Sequence, residues 1–129
     1  MHQRLQPPNW ASPKGYANGI MCTGSQIYVG GQIGWNAQQH FESEDFIAQV
    51  EQALLNVLAV LEQAQAGPEH MVRMTWYIVN REMYTSRLKE LGEAYRRVMG
   101  KHFPAMTCVV VSALIEPQAV VEIEVTAVK

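Results

Sequence analysis

Phe103-Pro104-Ala105-Met106-Thr107-Cys108-Val109-Val110-Val111, with Val120-Val121-Glu122-Ile123-Glu124-Val125 after it, decides the fold. The two runs read as adjacent strands joined by a turn at Glu116-Pro117-Gln118. Residues two apart on a strand share a face. Val121, Ile123 and Val125 therefore point one way and Glu122 and Glu124 the other. Burying an unpaired carboxylate is costly, so the acidic face of this strand is solvated, paired or functional.

Working backwards, Glu82 to Met99 reads as a helix with Leu88, Leu91, Tyr95 and Met99 on one side, ended by Gly100. Met71 to Val79 reads as a strand, with Val72, Met74, Trp76 and Ile78 facing a core. Phe46, Val50, Ala53, Leu54, Val57, Leu58 and Leu61 recur every three or four residues, which predicts an amphipathic helix of about five turns. Glu42-Ser43-Glu44-Asp45 opens this helix, with Ser43 as N-cap, and Gly67-Pro68 stops it. Residues 35–43 form a polar loop. Ile20 to Thr23 and Gln26 to Gly30 read as short strands in a hairpin across Gly24-Ser25. Three glycines in Gly30-Gly31-Gln32-Ile33-Gly34 require positive φ or close approach of the backbone, or else mark a bulge or edge turn. Residues 1–18 read as an irregular arm packed down by Trp10 and Tyr16. The order ββ–α–β–α–ββ predicts a two-layer α+β sandwich, a mixed sheet with both helices on one face.

The chain has 129 residues, 48% hydrophobic and only 17% charged, which suits a single domain over 1–129. So few charges leave apolar area that a symmetric oligomer would cover. A net charge of −2, with Arg96-Arg97 the only adjacent basic pair, gives no footprint for nucleic acid. The N-terminus has no apolar leader-like stretch, and no run approaches the roughly 20 apolar residues a membrane helix needs, so the expectation is a soluble, cytoplasmic protein with no membrane partner. Cys22 and Cys108 lie in no CxxC and read as reduced, buried thiols. His2, His40, His70 and His102 show no ligand spacing and read as loop and surface residues. No metal or cofactor is implied.

Four pieces in order resemble the Rid family, also called YjgF or reactive intermediate deaminase proteins: Gly15-Tyr16, Ile27-Tyr28-Val29-Gly30-Gly31-Gln32-Ile33, Gln52-Ala53-Leu54-Leu55-Asn56-Val57, and the two closing strands. The resemblance runs from about Tyr16 to Lys129. It implies a chorismate-mutase-like fold, a homotrimer, and small-molecule clefts between subunits where enamines or imines are hydrolysed to ketones and ammonia. In active members a strand glutamate positions or activates water, and Glu122 matches it. Tyr16, the Gly31 backbone and Cys108 would line the cleft. An arginine clamps the substrate carboxylate in those members, and this chain has Met106 there. Losing a charge-assisted contact of this kind costs on the order of 1.5–3 kcal/mol. A simple 2-imino acid is therefore disfavoured, and Met106 and Trp35 would line a site for a more apolar or neutral ligand. Lys89 is a candidate replacement cation. Outside a cleft role, Glu122 would pair with a neighbour such as Arg73. Glu124 reads as a subunit salt bridge or a solvent-facing group, and Thr107 as packing on the face opposite Met106. The alternatives to a deaminase are a non-catalytic binding or interaction trimer and, against the acidic charge balance, a ribonuclease.

Overall fold

Alternation on the last strand sets the sheet. In the computed structural model, which describes residues 2–129, β6 (Val121–Val128) buries Val121, Ile123, Val125 and Ala127 and leaves Glu122, Glu124 and Thr126 on the other face. β6 lies between β3 (Gln26–Ile33) and β4 (Met71–Ile78), antiparallel to both, and β5 (Ala105–Val110) runs parallel to β4 at the edge, giving the order β3-β6-β4-β5. The two closing strands are therefore not neighbours. The connection from β4 through a helix to β5 is a crossover, which sets β5 parallel beside β4. The free side of β4 is then left for β6.

α1 (Phe46–Glu62) and α3 (Leu88–Met99) cover one face. Val50, Ala53, Leu54, Val57 and Leu61 of α1 meet Leu91, Ala94, Tyr95 and Met99 of α3 over Met74, Trp76 and Ile123. This is the expected α+β sandwich with a mixed sheet. β4 departs from strict alternation, because a register irregularity between Met71 and Arg73 turns Met71 into the core and leaves Val72 half-buried.

The N-terminal arm and the second helix depart from expectation. β2 (Gly19–Met21) forms no hairpin with β3. It pairs antiparallel with β1 (Gln3–Leu5), a strand inside the supposedly irregular arm. Gly24, at φ +145°, instead lies against the Lys129 carbonyl, and Ser25 and Lys129 exchange backbone hydrogen bonds, so the turn delivers β3 to the end of β6. Trp10 does not pack the arm down. It is exposed, and the buried anchor is Ala17, whose N–H donates to Pro104 O at 3.0 Å. The second helix is broken. α2 (Arg81–Thr85), capped by Asn80, ends where the Thr85 and Ser86 hydroxyls donate back to Arg81 O and Glu82 O, a local alternative to continuing the helix. Leu88 then starts α3 and is exposed instead of lying in the core.

Asp45, not Ser43, is the N-cap of α1. Its Oδ2 accepts from Ala48 N at 3.1 Å, while Ser43 Oγ accepts from Asp45 N. The hydrogen bond from Arg87, then that from Ala48 N–H, holds the Asp45 carboxyl below its ordinary value of 3.8. A depressed folded-state pKa contributes stability above the unfolded value and loses it as pH falls through the folded one. Asp45→Ala is expected to cost about 1 kcal/mol in urea unfolding at pH 7. Asp45→Asn, which keeps the cap and loses only a screened surface ion pair, is expected to cost less. Its difference from the unaltered chain should shrink below pH 3.8.

Candidate functional site

The sheet divides the expected site residues between its two faces. Along β4, Trp76 is paired with Cys108, and Met74 with Met106. Met106 and Cys108 therefore sit on the helix side, and Met106 packs against the core. The adjacent Tyr77 is paired with Glu122, and Thr75 with Glu124, on the opposite face.

On the helix side, Tyr16, Met106 and Cys108 come together. With Lys14, Gly15, Trp76 and Tyr84 they line a recess of about 230 Å3. A second recess of about 210 Å3 continues it between α3 and β5 past Leu88, Leu91, Arg96 and Phe103. The N-terminal arm forms one wall because the Ala17–Ala105 bridge ties it beside β5. Gly15, at φ +77°, makes the turn that brings Lys14 over the recess, a conformation that favours glycine. Cys108 is a free thiol on the edge strand, exposed rather than buried. An edge position leaves one side of the strand uncovered, which the apolar sequence of β5 does not reveal. Partial desolvation among the recess side chains still raises its thiol pKa, which makes it a weak nucleophile at neutral pH. Burial likewise raises the Tyr84 phenol.

On the opposite face, Gly31 and Glu122 come together. β3 carries a bulge between Val29 and Gln32, and the chain beyond it pairs Ile33 with Glu122. A Cβ on Gly31 would overlap Glu122 Oε2. The glycine is there for close approach and not for positive φ. Among the described residues no hydrogen bond or ion pair reaches the Glu122 carboxylate. The expected structural partner, Arg73, bonds Thr107 Oγ1 at 3.4 Å instead, which also puts Thr107 on this outer face. Glu124 accepts from the Tyr77 hydroxyl at 2.6 Å, the main cause of that phenol's raised pKa. The two glutamates of one strand thus differ: Glu124 is engaged and Glu122 is open.

Trp35 joins neither group within the protomer. It packs on Phe41, with ring centroids 5.8 Å apart. Its carbonyl and that of Ile33 both accept from Asn56 Nδ2, at 2.8 and 3.0 Å. The asparagine in α1 therefore clamps the loop after the bulge. Lys89 lines neither recess, and the cations that do are Lys14 and Arg96. Sequence reasoning missed both. Lys14 lies in an arm with no periodic pattern, and Arg96 in a helix turn where a solvated arginine is the ordinary case. Trp76 and Tyr84 were missed as recess residues too. No group of three or more metal-ligating side chains exists among the described residues, and no helix is long and apolar enough to cross a membrane.

The chain is similar to known proteins over nearly its whole length. The family model described as Endoribonuclease L-PSP matches residues 8–129. A RutC family protein of Aquifex aeolicus is 35% identical over 132 residues, spanning 98% of this chain and 99% of its own. RutC family protein PM1466 of Pasteurella multocida is 32% identical over 82% of this chain and 81% of its own. Among solved structures, the Rid-family protein YyfB of Yersinia pestis has a TM-score of 0.88 at 28% identity, covering 99% of this chain and 98% of that one. Agreement over nearly the whole length, in sequence and in fold, extends the four local motifs to the entire chain, which belongs to the Rid/YjgF family.

Proposed function

We propose that the chain hydrolyses a reactive enamine or imine, other than a simple 2-imino acid, at a cleft completed between copies in a homotrimer. The observation that carries this reading is the Glu122 carboxylate. It lies against Gly31 on a solvent-facing sheet surface, with no hydrogen-bonding or ionic partner among the described residues. A carboxylate left open in this way serves as general base once a water and an electrophilic carbon are brought to it. Within one protomer the recess beside Met106 opens on the other face of the sheet, so a second copy of the chain would bring the two halves together.

The chemistry balances without a cofactor. Glu122 takes a proton from water as the oxygen attacks the C=N carbon. The carbinolamine nitrogen is protonated and leaves as ammonia while the C=O bond forms. An enamine first takes a proton on carbon to give the same iminium.

One further observation supports an enzyme over a non-catalytic binder. The recess beside Met106 stays open, at about 230 Å3, and Trp35 does not fill it. Against a ribonuclease, which the family model's description suggests, stands the net charge of −2; phosphate backbones are held by clustered cations.

The test is an imine-quenching assay. An amino-acid oxidase generates imines from acidic, aromatic, aliphatic and neutral amines, and semicarbazone build-up is followed. The unaltered chain is expected to suppress the signal for at least one imine. Glu122→Ala is expected to lose a factor of about 100 or more, in the range of general-base contributions. Gly31→Ala, which pushes the carboxylate aside without backbone strain, should lose activity while its unfolding midpoint stays within a few degrees. An inert chain that gains activity only as Met106→Arg would replace this reading with the binding-module one.

A further inference from the structure

Three of the four histidines, His2, His70 and His102, stand in one recess of about 480 Å3, at the end of the sheet where β4 begins and β6 ends. Thr23, Glu69 and Lys129 complete its polar lining, beside Val128. It shares no residue with the recess beside Met106 or with the Glu122 face. The histidines arrive from three separate segments. His2 precedes β1, His70 closes the 3-10 turn Pro68–His70 that leads into β4, and His102 lies between α3 and β5. Only the closed fold brings them together.

Backbone groups engage one nitrogen on two of the rings. Gly67 N–H donates to His70 Nδ1 at 3.0 Å, and His70 N–H returns a bond to Gly67 O at 3.0 Å. A neutral ring that accepts at Nδ1 carries its proton on Nε2, so His70 offers an Nε2–H donor. His2 Nε2 lies 3.1 Å from Val128 O. A carbonyl can only accept, so this nitrogen holds the proton and Nδ1 is the free one. His2 Nδ1 becomes a second donor when the ring is protonated. The His102 ring makes no hydrogen bond among the described residues, while its backbone carbonyl is fixed by the Tyr95 hydroxyl. Lys129 Nζ donates to Ala64 O at 2.9 Å, which leaves two of its three donors.

These donors suit an anion and not a metal ion. A metal takes the lone pair of a neutral imidazole, and His70 already gives its lone pair at Nδ1 to Gly67. No three side chains among the described residues are placed to hold a metal. An anion takes N–H donors instead, and charge-assisted hydrogen bonds are roughly twice as strong as neutral ones. One side-chain carboxylate opposes it: Glu69, 3.8 Å from His70 Nδ1 and 57% exposed.

We propose that this recess binds a phosphate- or sulfate-type dianion through His2, His70, His102 and Lys129, holding it in acid and releasing it above neutrality. Histidine takes up its charge around pH 6.5. Below that value His2 and His102 add positive charge without breaking a hydrogen bond. Above it the Lys129 ammonium is balanced by Glu69. The volume lies within the roughly 300–1,000 Å3 of small-molecule sites, so an organic phosphate ester also fits. The site is independent of imine hydrolysis, since it uses none of the same residues.

The test uses the full chain and sulfate, which stays a dianion from pH 5.5 to 8. Ring Cε1–H signals of the four histidines are followed by NMR during titration. His40, in the loop after Trp35 and outside the recess, is the internal control and is assigned from His40→Gln. At pH 5.5 sulfate is expected to move the other three signals and leave His40 in place, against sodium chloride of equal ionic strength. Binding should weaken at least tenfold by pH 8, and His2→Gln/His102→Gln should remove that pH dependence. Four signals that move together, or an affinity equal at both pH values, would overturn the proposal. Both readouts come from the unaltered chain and do not depend on the double variant folding. Phenyl phosphate set against inorganic phosphate names the source: tighter binding of the ester supports an organic phosphate, and equal binding supports the free ion.

Discussion

Leu54→Ala is expected to lower the stability of the fold by about 3–5 kcal/mol. Leu54 is fully buried at the middle of α1, in the cluster that α1 and α3 build over the central strands. Truncation removes apolar transfer free energy and leaves a cavity. The surroundings cannot collapse into it, because the neighbours sit on two helices and a sheet that hold one another apart. For a domain between the sizes for which the scaling is known, this corresponds to a fall in Tm of roughly 10–20 °C. The midpoint in urea should drop with its slope unchanged, at fixed protein concentration so that association does not confuse the comparison. Leu54→Met, which conserves volume, should cost less than about 1.5 kcal/mol. Equal losses in the two variants would show that the site is not a packed core position.

Gln49→Leu is expected to cost about 2–4 kcal/mol for a different reason. Gln49 is the one buried polar residue among those described, 1% exposed. Its Nε2 donates to Ser43 O and Gln118 O at 3.1 and 2.9 Å, and its Oε1 accepts from Val120 N at 3.0 Å. One side chain thus ties the start of α1 to the loop that leads into β6. Gly34 packs directly on it, with space for no Cβ: one would lie 2.6 Å from Gln49 Cβ. Leucine fills the volume but leaves two carbonyls and an N–H without their partner, so urea unfolding should show a loss that cavity arguments do not predict. Gln49→Glu adds a sign test. An ionised carboxylate at this position can accept from Val120 N but cannot donate to either carbonyl, so its folded pKa is raised and the protonated form is preferred. That variant should be least stable at neutral pH and regain stability as pH falls towards the ordinary glutamate value of about 4.3. A loss that is flat from pH 7 to 4 would exclude this account.

Both positions show how much of the fold the local pattern carries. The periodicity from Phe46 to Leu61 marked Leu54 as core, because burial on one helix face needs nothing beyond a spacing of three and four. Gln49 lies inside the same helix and carries no such signal. Its partners are a turn away at Ser43 and some 70 residues away at Gln118 and Val120, and only the closed fold makes it the clip between them. Asn56 is similar: the motif around it helps mark the family, but its work in clamping Ile33 and Trp35 is visible only once β3 lies over α1.

The candidate site divides in the same way. Alternation in Val121-Glu122-Ile123-Glu124-Val125 by itself determined that both carboxylates leave the core, because a strand has a period of two residues whatever its neighbours. It could not say which carboxylate is open. That depends on the Tyr77 hydroxyl, opposite Glu122 in the register, reaching diagonally to Glu124, and on a glycine bulge lying against Glu122, both supplied by strands remote in sequence. The pairing of β5 with β4 rather than β6, the arm strand β1, the break at Ser86 and the exposure of Cys108 were likewise settled by long-range pairing and packing. So was the convergence of Lys14, Trp76 and Arg96, three residues with no shared motif, on one recess. Local period determined most of the inward faces, and it failed where a helix break exposed Leu88 and a register irregularity exchanged Met71 for Val72. Which outward-facing groups meet is a property of how distant segments close on one another, and only the tertiary structure decided it.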